Sequence, residues 1–298
     1  KEKLHHKKKH TAGKVIVVIV CALFAFLFIM PTVLTITNSF MEQSEINSNY
    51  GKIFQNFTGG SKTYISDKVT LKFIPDKVSL SQYITALIKS PDYLFKFWNS
   101  VILVVPIVIF QVATAALAAY GFTRWRSKFR SFMFFFYVIL MLMPYQVTLV
   151  PNYLVSDWFG ILNTRWAIIF PGMFAPFSVF LLTKFMRRIP VSLIEAAKLD
   201  GAGEWQIFTR ICLPQCRSAL YSIAMLVFID YWNMVEQPVA YLKEPAQYPL
   251  SVAVAYVGTE DAATQLVCCL LSLLPPLLLF LRFHQELVQG IALAEVKG

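Results

Sequence analysis

Residues 189–214 read IPVSLIEAAKLDGAGEWQIFTRICLP, the longest polar interruption in a hydrophobic C-terminal half. The spacing predicts two short helices joined at a glycine. Pro190 stops the apolar segment before it, because proline lacks an N–H and its ring clashes with the preceding turn. Ser192 and Glu195 predict a capping box, the serine oxygen taking an orphan N–H and the glutamate reaching back to the cap. Gly201 is placed to turn left-handed and end the first helix. A side chain at that position is expected to force the two helices apart. Trp205, Phe208 and Ile211 recur at helical spacing and predict an apolar stripe. Ala196 and Ala197 give a smooth face that admits close packing.

The rest of the chain says where such a segment lies. Of 298 residues, 57% are hydrophobic and only 15% charged, with a mean hydropathy of +0.57. Soluble domains carry roughly 25% charged residues, so the composition predicts a polytopic membrane protein. The formal net charge of +10 could point to nucleic acid. Its distribution argues against that partner, because basic residues collect at the ends of apolar runs, as the positive-inside rule requires. Cys21, Cys212, Cys216, Cys268 and Cys269 are scattered. Cys212 and Cys216 have no nearby histidine or further cysteine to complete a zinc set, and packing is the simpler role for all five.

In order, residues 1–14 form a basic cytoplasmic tail. His5, His6 and His10 within it allow metal binding, but a solvated cationic tail is the plainer reading. Residues 15–40 predict a first membrane helix, long enough for the roughly 20 residues a span needs. The polar segment 41–97 is expected outside, with Tyr64 to Phe73 alternating as a small hairpin would. Residues 98–283 hold the remaining spans, near 97–122, 132–150, 166–186, 219–235 and 264–283. Arg124, Arg126, Lys128 and Arg130 follow the second span with no acid among them and place that turn inside. Pro144, Pro171, Pro176 and the Pro275–Pro276 pair kink or break spans. An outside loop covers 236–261, and 284–298 is a cytoplasmic tail. The predicted fold class is an all-α polytopic membrane protein of six spans, both termini cytoplasmic.

The opening stretch also resembles the EAA loop of ABC importer permeases: EAA, three residues, Gly, nine residues, Ile, one residue, Leu, Pro. Glu195-Ala196-Ala197, Gly201, Ile211 and Leu213-Pro214 occupy every position. Over about residues 73–298 the chain is similar to permease subunits of carbohydrate importers of the maltose type. Phe73, Pro75, Tyr83, Asn99-Ser100, Pro151, Tyr153, Gly160, Asn163-Thr164, Phe180, Phe185, Phe228, Trp232-Asn233 and Pro238 carry that resemblance. It implies that Glu195, Ala196, Ala197, Asp200, Gly201, Leu213 and Pro214 dock a coupling helix in a cleft of a cytoplasmic ATPase. It implies that Val296, Lys297 and Gly298 end a tail that enters the ATPase interface. It also implies a second permease subunit in a heterodimer, two ABC ATPase subunits, an extracytoplasmic solute-binding protein and a carbohydrate substrate, an oligosaccharide. This chain is expected to bind no cofactor. ATP and Mg belong to the partner ATPase, and the chain lacks the G-x-x-x-x-G-K-[ST] phosphate loop.

Asp230 lies inside the fifth span, where an ionisable group is costly unless it faces a wet cavity or a partner. With Trp232 and Asn233 it is a candidate for the translocation pathway, offering a stacking face and hydrogen bonds to a sugar. An interhelical polar contact is the competing role. Tyr145 and Gln146, after Pro144, are further cavity candidates with the same alternative. Two other functions compete: an ABC permease for another small polar solute such as glycerol phosphate, and an ion-coupled secondary transporter. The second predicts several intramembrane carboxylates and inverted repeats, whereas one deep acid and no evident repeat are present.

Overall fold

A computed structural model describes residues 2–57, 71–89, 91–125, 127–255 and 262–295. Those residues are helical almost throughout and hold no β-strand; one isolated bridge pairs Met41 with Val78. The predicted Tyr64–Phe73 hairpin falls mostly outside the described residues, and 71–80 runs without a regular strand. Lipid leaves an exposed backbone no water to bond, so helices that satisfy their own N–H and C=O groups are the economical solution.

The chain divides into two compact units, Lys1–Pro91 with Tyr256–Leu271, and Asp92–Ala255 with Ser272–Gly298. In the first, α1 (Glu2–Asn38) runs without interruption from the basic tail into the apolar run. Within its span, Lys14–Asn38, the residues from Val15 to Ile29 are all exposed. A short α2 (Gln43–Phe57) follows. Met41 and Ile46 bury against Ala262 and Ala263, and the Gln43 side-chain oxygen accepts the Ala263 N–H at 2.8 Å. Gln82 ties the end of α1 to the next turn by donating to the Ser39 and Met41 carbonyls. Glu45 accepts the Asp76 N–H at 2.9 Å and pairs with Lys72 at 3.0 Å. These contacts, the Asp76 bond foremost, hold its carboxyl below the usual value. The stabilisation is therefore present at neutral pH and fades as the carboxylate protonates.

The second unit is built on α3 (Pro91–Arg124), α4 (Lys128–Met141), α5 (Tyr145–Trp158), α6 (Trp166–Gly172), α7 (Pro176–Met186), α8 (Val191–Leu199), α9 (Arg217–Trp232), α10 (Glu236–Tyr241), α11 (Leu250–Ala255) and, from Ser272 on, α12 (Ala262–Glu295). Four stretches are each long and apolar enough to cross a bilayer: Lys14–Asn38, Asp92–Arg124, Trp166–Met186 and Ala262–Val288. Two more arise if α4 and α5, bent by 106°, count as one span, and α9 with the segment before it, bent by 74°, as another. This matches the predicted six, with one correction. The third span is not a continuous 132–150 helix. Pro144 caps α5 without an N–H to extend α4, and the chain turns sharply there.

Each break needs polar partners. The chain breaks again between α6 and α7, and the freed Met173 carbonyl accepts from Thr114 Oγ1 on α3 at 2.7 Å. One turn earlier on α3, Gln111 donates to the buried Ser178 hydroxyl at 2.7 Å. Asn99 on α3 donates to the Ala246 and Tyr248 carbonyls and accepts from Arg165, while Ser100 Oγ accepts the Leu250 N–H. The Asn99-Ser100 pair thus pins the segment that links α10 to α11. Asn163, at φ +61°, donates its N–H to the Tyr241 carbonyl, and its Oδ1 accepts the Lys243 N–H.

The core joins α3, α6, α7, α8 and α9 through Leu103, Ile107, Ile168, Leu182, Ile194 and Ile223. Gly172 lets α6 approach α3 closely. A Cβ there would sit 3.0 Å from Ile107 Cγ2 and 3.1 Å from the Tyr231 hydroxyl. Gly172→Val is therefore expected to cost about 1–3 kcal/mol by overpacking, seen as a lower apparent Tm of the purified protein; an unchanged Tm contradicts the close approach.

Candidate functional site

The 189–214 segment starts on Pro190, which is the N-cap of α8 with φ −56° and ψ 132°. Ser192 consequently sits at the second helical position, too late to cap, and no side chain caps this helix. The predicted Ser192–Glu195 capping box does not form. Its place is taken downstream, where the Gly203 N–H donates to Gln206 Oε1 at 3.0 Å.

The C-terminus of α8 closes as expected and in more detail. Gly201 takes φ +81°. Its N–H donates to the Lys198 carbonyl at 3.1 Å, and the Ala202 N–H reaches back to Ala197 at 2.9 Å. This is the Schellman pairing, with Ala202 and Ala197 both packed against the core. An added Cβ at Gly201 meets nothing within 4 Å. The expected steric wedge is absent, and the demand on glycine is purely conformational.

Beyond the turn, Glu204–Ile207 leads into a wide π turn over Phe208–Cys212. The Leu213 N–H bonds the carbonyl five residues back, at Phe208. Pro214 next to it has no N–H to give, so the wide turn absorbs the proline without a sharp stop. The predicted stripe divides: Phe208 is buried, Ile211 half-buried, and Trp205 is 67% exposed while its ring lies 5.4 Å from Phe208.

Two opposite faces result. Ile194, Ile207, Phe208 and Cys212 bury in the main core. Glu195, Ala196 and Asp200 are exposed, Ala197 and Leu213 half-exposed, and Leu199 is 89% exposed. The Glu195 carboxylate makes no hydrogen bond or ion pair among the described residues. Glu204, which sequence reasoning passed over, cross-braces the segment. It pairs with Lys198 at 2.5 Å and accepts from the Tyr120 hydroxyl on α3. No periodic signal announces that triad, since Tyr120 lies 84 positions away.

The pathway candidates separate by helical face. Tyr145, Asp230 and Asn233 line one cavity of about 440 Å³, together with Tyr231, Glu236 and Gln237. Trp232 is buried instead. Its Nε1–H donates to the Ser272 carbonyl at 3.0 Å, and its ring stacks on Phe228. Trp232 and Asn233 share a second, smaller cavity of about 210 Å³. Gln146 is exposed and lines neither cavity. Val296, Lys297 and Gly298 lie outside the described residues. Among the described residues no group of histidines, cysteines and carboxylates is arranged to hold a metal. The five cysteines carry no disulfide.

Broken spans, a loop anchored in the core with an exposed outer face, and a polar cavity are features that a transport permease needs. The chain belongs to the binding-protein-dependent transport system inner membrane component family, whose pattern matches residues 83–292. It is 25% identical over 280 residues to the arabinooligosaccharides transport system permease protein AraQ of Halalkalibacterium halodurans, across 93% of this chain and 94% of that one. It is 28% identical over 216 residues to the lactose transport system permease protein LacG of Rhizobium radiobacter, across 72% and 79%. Its fold is similar to a chain of a bacterial ABC transporter involved in import of the acidic polysaccharide alginate. The TM-score is 0.73 at 18% identity, over 91% of this chain and 95% of that one. The family excludes the ion-coupled alternative.

Gly201→Asn keeps access to the left-handed region, whereas Gly201→Val meets a cost of about 1–2 kcal/mol. Hydrogen exchange across 197–206 should stay slow in the first variant and speed up in the second. Equal protection in both contradicts the conformational role of this glycine.

Proposed function

We propose that this chain imports a carbohydrate, an oligosaccharide, as one of two permease subunits driven by a pair of ABC ATPases. Two sugar permeases with near-full or majority coverage support the substrate class. The solute arrives on an extracytoplasmic binding protein. ATP and Mg are held by the ATPase subunits. In this reading both termini and the 189–214 segment lie in the cytoplasm of a bacterial cell, which the basic residues of the short loops support. The domain ranges follow: tails 1–14 and 284–298 inside, helix 15–40, the outer segment 41–97 and the spanning core 98–283. The tail end at Val296, Lys297 and Gly298 reaches the ATPase interface.

One observation carries the coupling role. The same short segment shows Glu195, Ala196 and an almost bare Leu199 to the outside while Ile194 and Ile207 root it in the core. Val191 is exposed as well and lies two turns before Leu199 on the same face of α8, and grouped exposed apolar residues support a contact surface. Glu195 and Asp200 supply unspent acceptors, Ala196 and Ala197 allow close approach, and Gly201, Leu213 and Pro214 set the segment's shape. ATP can then shift the membrane equilibrium because the docked contacts differ between states. In the cavity, Asp230, Asn233 and Tyr145 offer hydrogen bonds to sugar hydroxyls, and Tyr231 a ring face. Trp232, stacked on Phe228, adjoins Asn233 in the smaller cavity, and Gln146 lines neither.

Uptake in vesicles containing all subunits tests this. Glu195→Lys with Gly201→Pro should insert normally and lower sugar uptake by about 5–150-fold, the usual span of a coupling free energy. Unimpaired uptake would defeat the coupling assignment.

A further inference from the structure

A second site lies at the other end of the α4–α7 pair, and neither docking nor the sugar pathway uses it. The two helices pack side by side. Phe134 on α4 stacks on Phe180 of α7, rings 6.0 Å apart and 19° from parallel. The Arg187 guanidinium sits 4.6 Å from the Phe134 ring centre, and Lys184 Nζ 5.5 Å from that of Phe180. The aromatic pair therefore forms a floor that holds two cations in place. Arg130 lies one turn before Phe134, on the same α4 face. Loss of surrounding solvent first, and the nearby Arg130 charge second, hold the Arg187 guanidinium below its ordinary value.

Two like charges held together need an anion. None of the ion pairs among the described residues includes Arg130 or Arg187. The Arg130 Nε–H, like those of Arg124 and Arg165, is buried with no hydrogen-bond partner among the described residues, and a buried donor of that kind is open to an acceptor from outside the chain. Paired guanidinium forks suit a phosphate. Phe129, Phe132 and Phe136 stand 70%, 61% and 47% exposed along the neighbouring stripe of α4. That adjoining phenyl face is what distinguishes a lipid from a soluble anion.

We propose that Arg130 and Arg187, over the Phe134–Phe180 floor, bind the phosphate headgroup of an anionic phospholipid whose acyl chains lie along Phe129, Phe132 and Phe136. On the orientation given above, this is the cytoplasmic leaflet, whose anionic lipids attract juxtamembrane basic residues. The site goes beyond the transport reading and stands whatever solute is carried.

Native mass spectrometry of the assembled transporter, exchanged into equal phosphatidylglycerol and phosphatidylcholine, reads it out. Wild type should retain phosphatidylglycerol preferentially. Arg130→Gln with Arg187→Gln should reduce that preference by about fivefold per arginine, since each basic residue near a charged surface contributes roughly 1 kcal/mol. Lysine at both positions keeps the charge but loses the forks and should keep only part of it, and Lys243→Gln, in the α10–α11 connection, all of it. Should the double glutamine variant not assemble, Arg187→Gln alone gives the same reading, because this side chain is exposed. Equal retention of both lipids by wild type, or an unchanged preference in the glutamine variants, overturns the site. Tight binding of inorganic phosphate without lipid preference makes it a free-anion site and overturns the lipid assignment. Cross-linking of Arg187→Cys to carboxylates of an ATPase subunit, with no lipid retained, overturns it as well.

Discussion

The constraint on which the molecule turns is that one short segment must be rigid on its inner face and bare on its outer one. Ile194, Ile207, Phe208 and Cys212 share a core with Leu103, Leu182 and Ile223. A push on Ala196 therefore has no soft place to dissipate before it reaches α3, α7 and α9. The Schellman turn at Gly201 and the Lys198–Glu204–Tyr120 brace keep the two halves of the segment in fixed relation. Close-packed interiors transmit strain in this way because they lack free volume to absorb it.

The spans obey a second demand, set by lipid. Where proline or glycine interrupts a helix, the freed carbonyls need protein partners. Thr114 serves Met173, and the π turn at Phe208–Cys212 accommodates Pro214. These interruptions sit beside the cavity and within the 189–214 segment. The same backbone irregularity that costs hydrogen bonds lets α9 end next to Tyr145 and open a polar pocket in an apolar wall.

Much of this was legible in the residue order, and the failures have physical causes. Hydropathy and basic clusters located the spans, because lipid imposes length and apolarity without reference to neighbours. Gly201 was legible because few residues enter the left-handed region. The Ser192 cap was not, since Pro190 starts the helix early and moves the serine past the orphan N–H groups. Asp230 and Trp232 looked like one site because they are adjacent in sequence. Two residues apart on a helix, they point to different faces, and only Asp230 meets the main cavity. The Glu204 brace and the Arg130–Arg187 pair join distant positions, which no local pattern encodes.

The most direct test of the central claim is cross-linking from Ala196→Cys in a background without the five native cysteines, using the intact transporter. The account predicts efficient cross-linking to an ATPase subunit, changing in yield when nucleotide is added. Rapid labelling by a soluble maleimide in every nucleotide state, with no cross-link to a second protein, would contradict it.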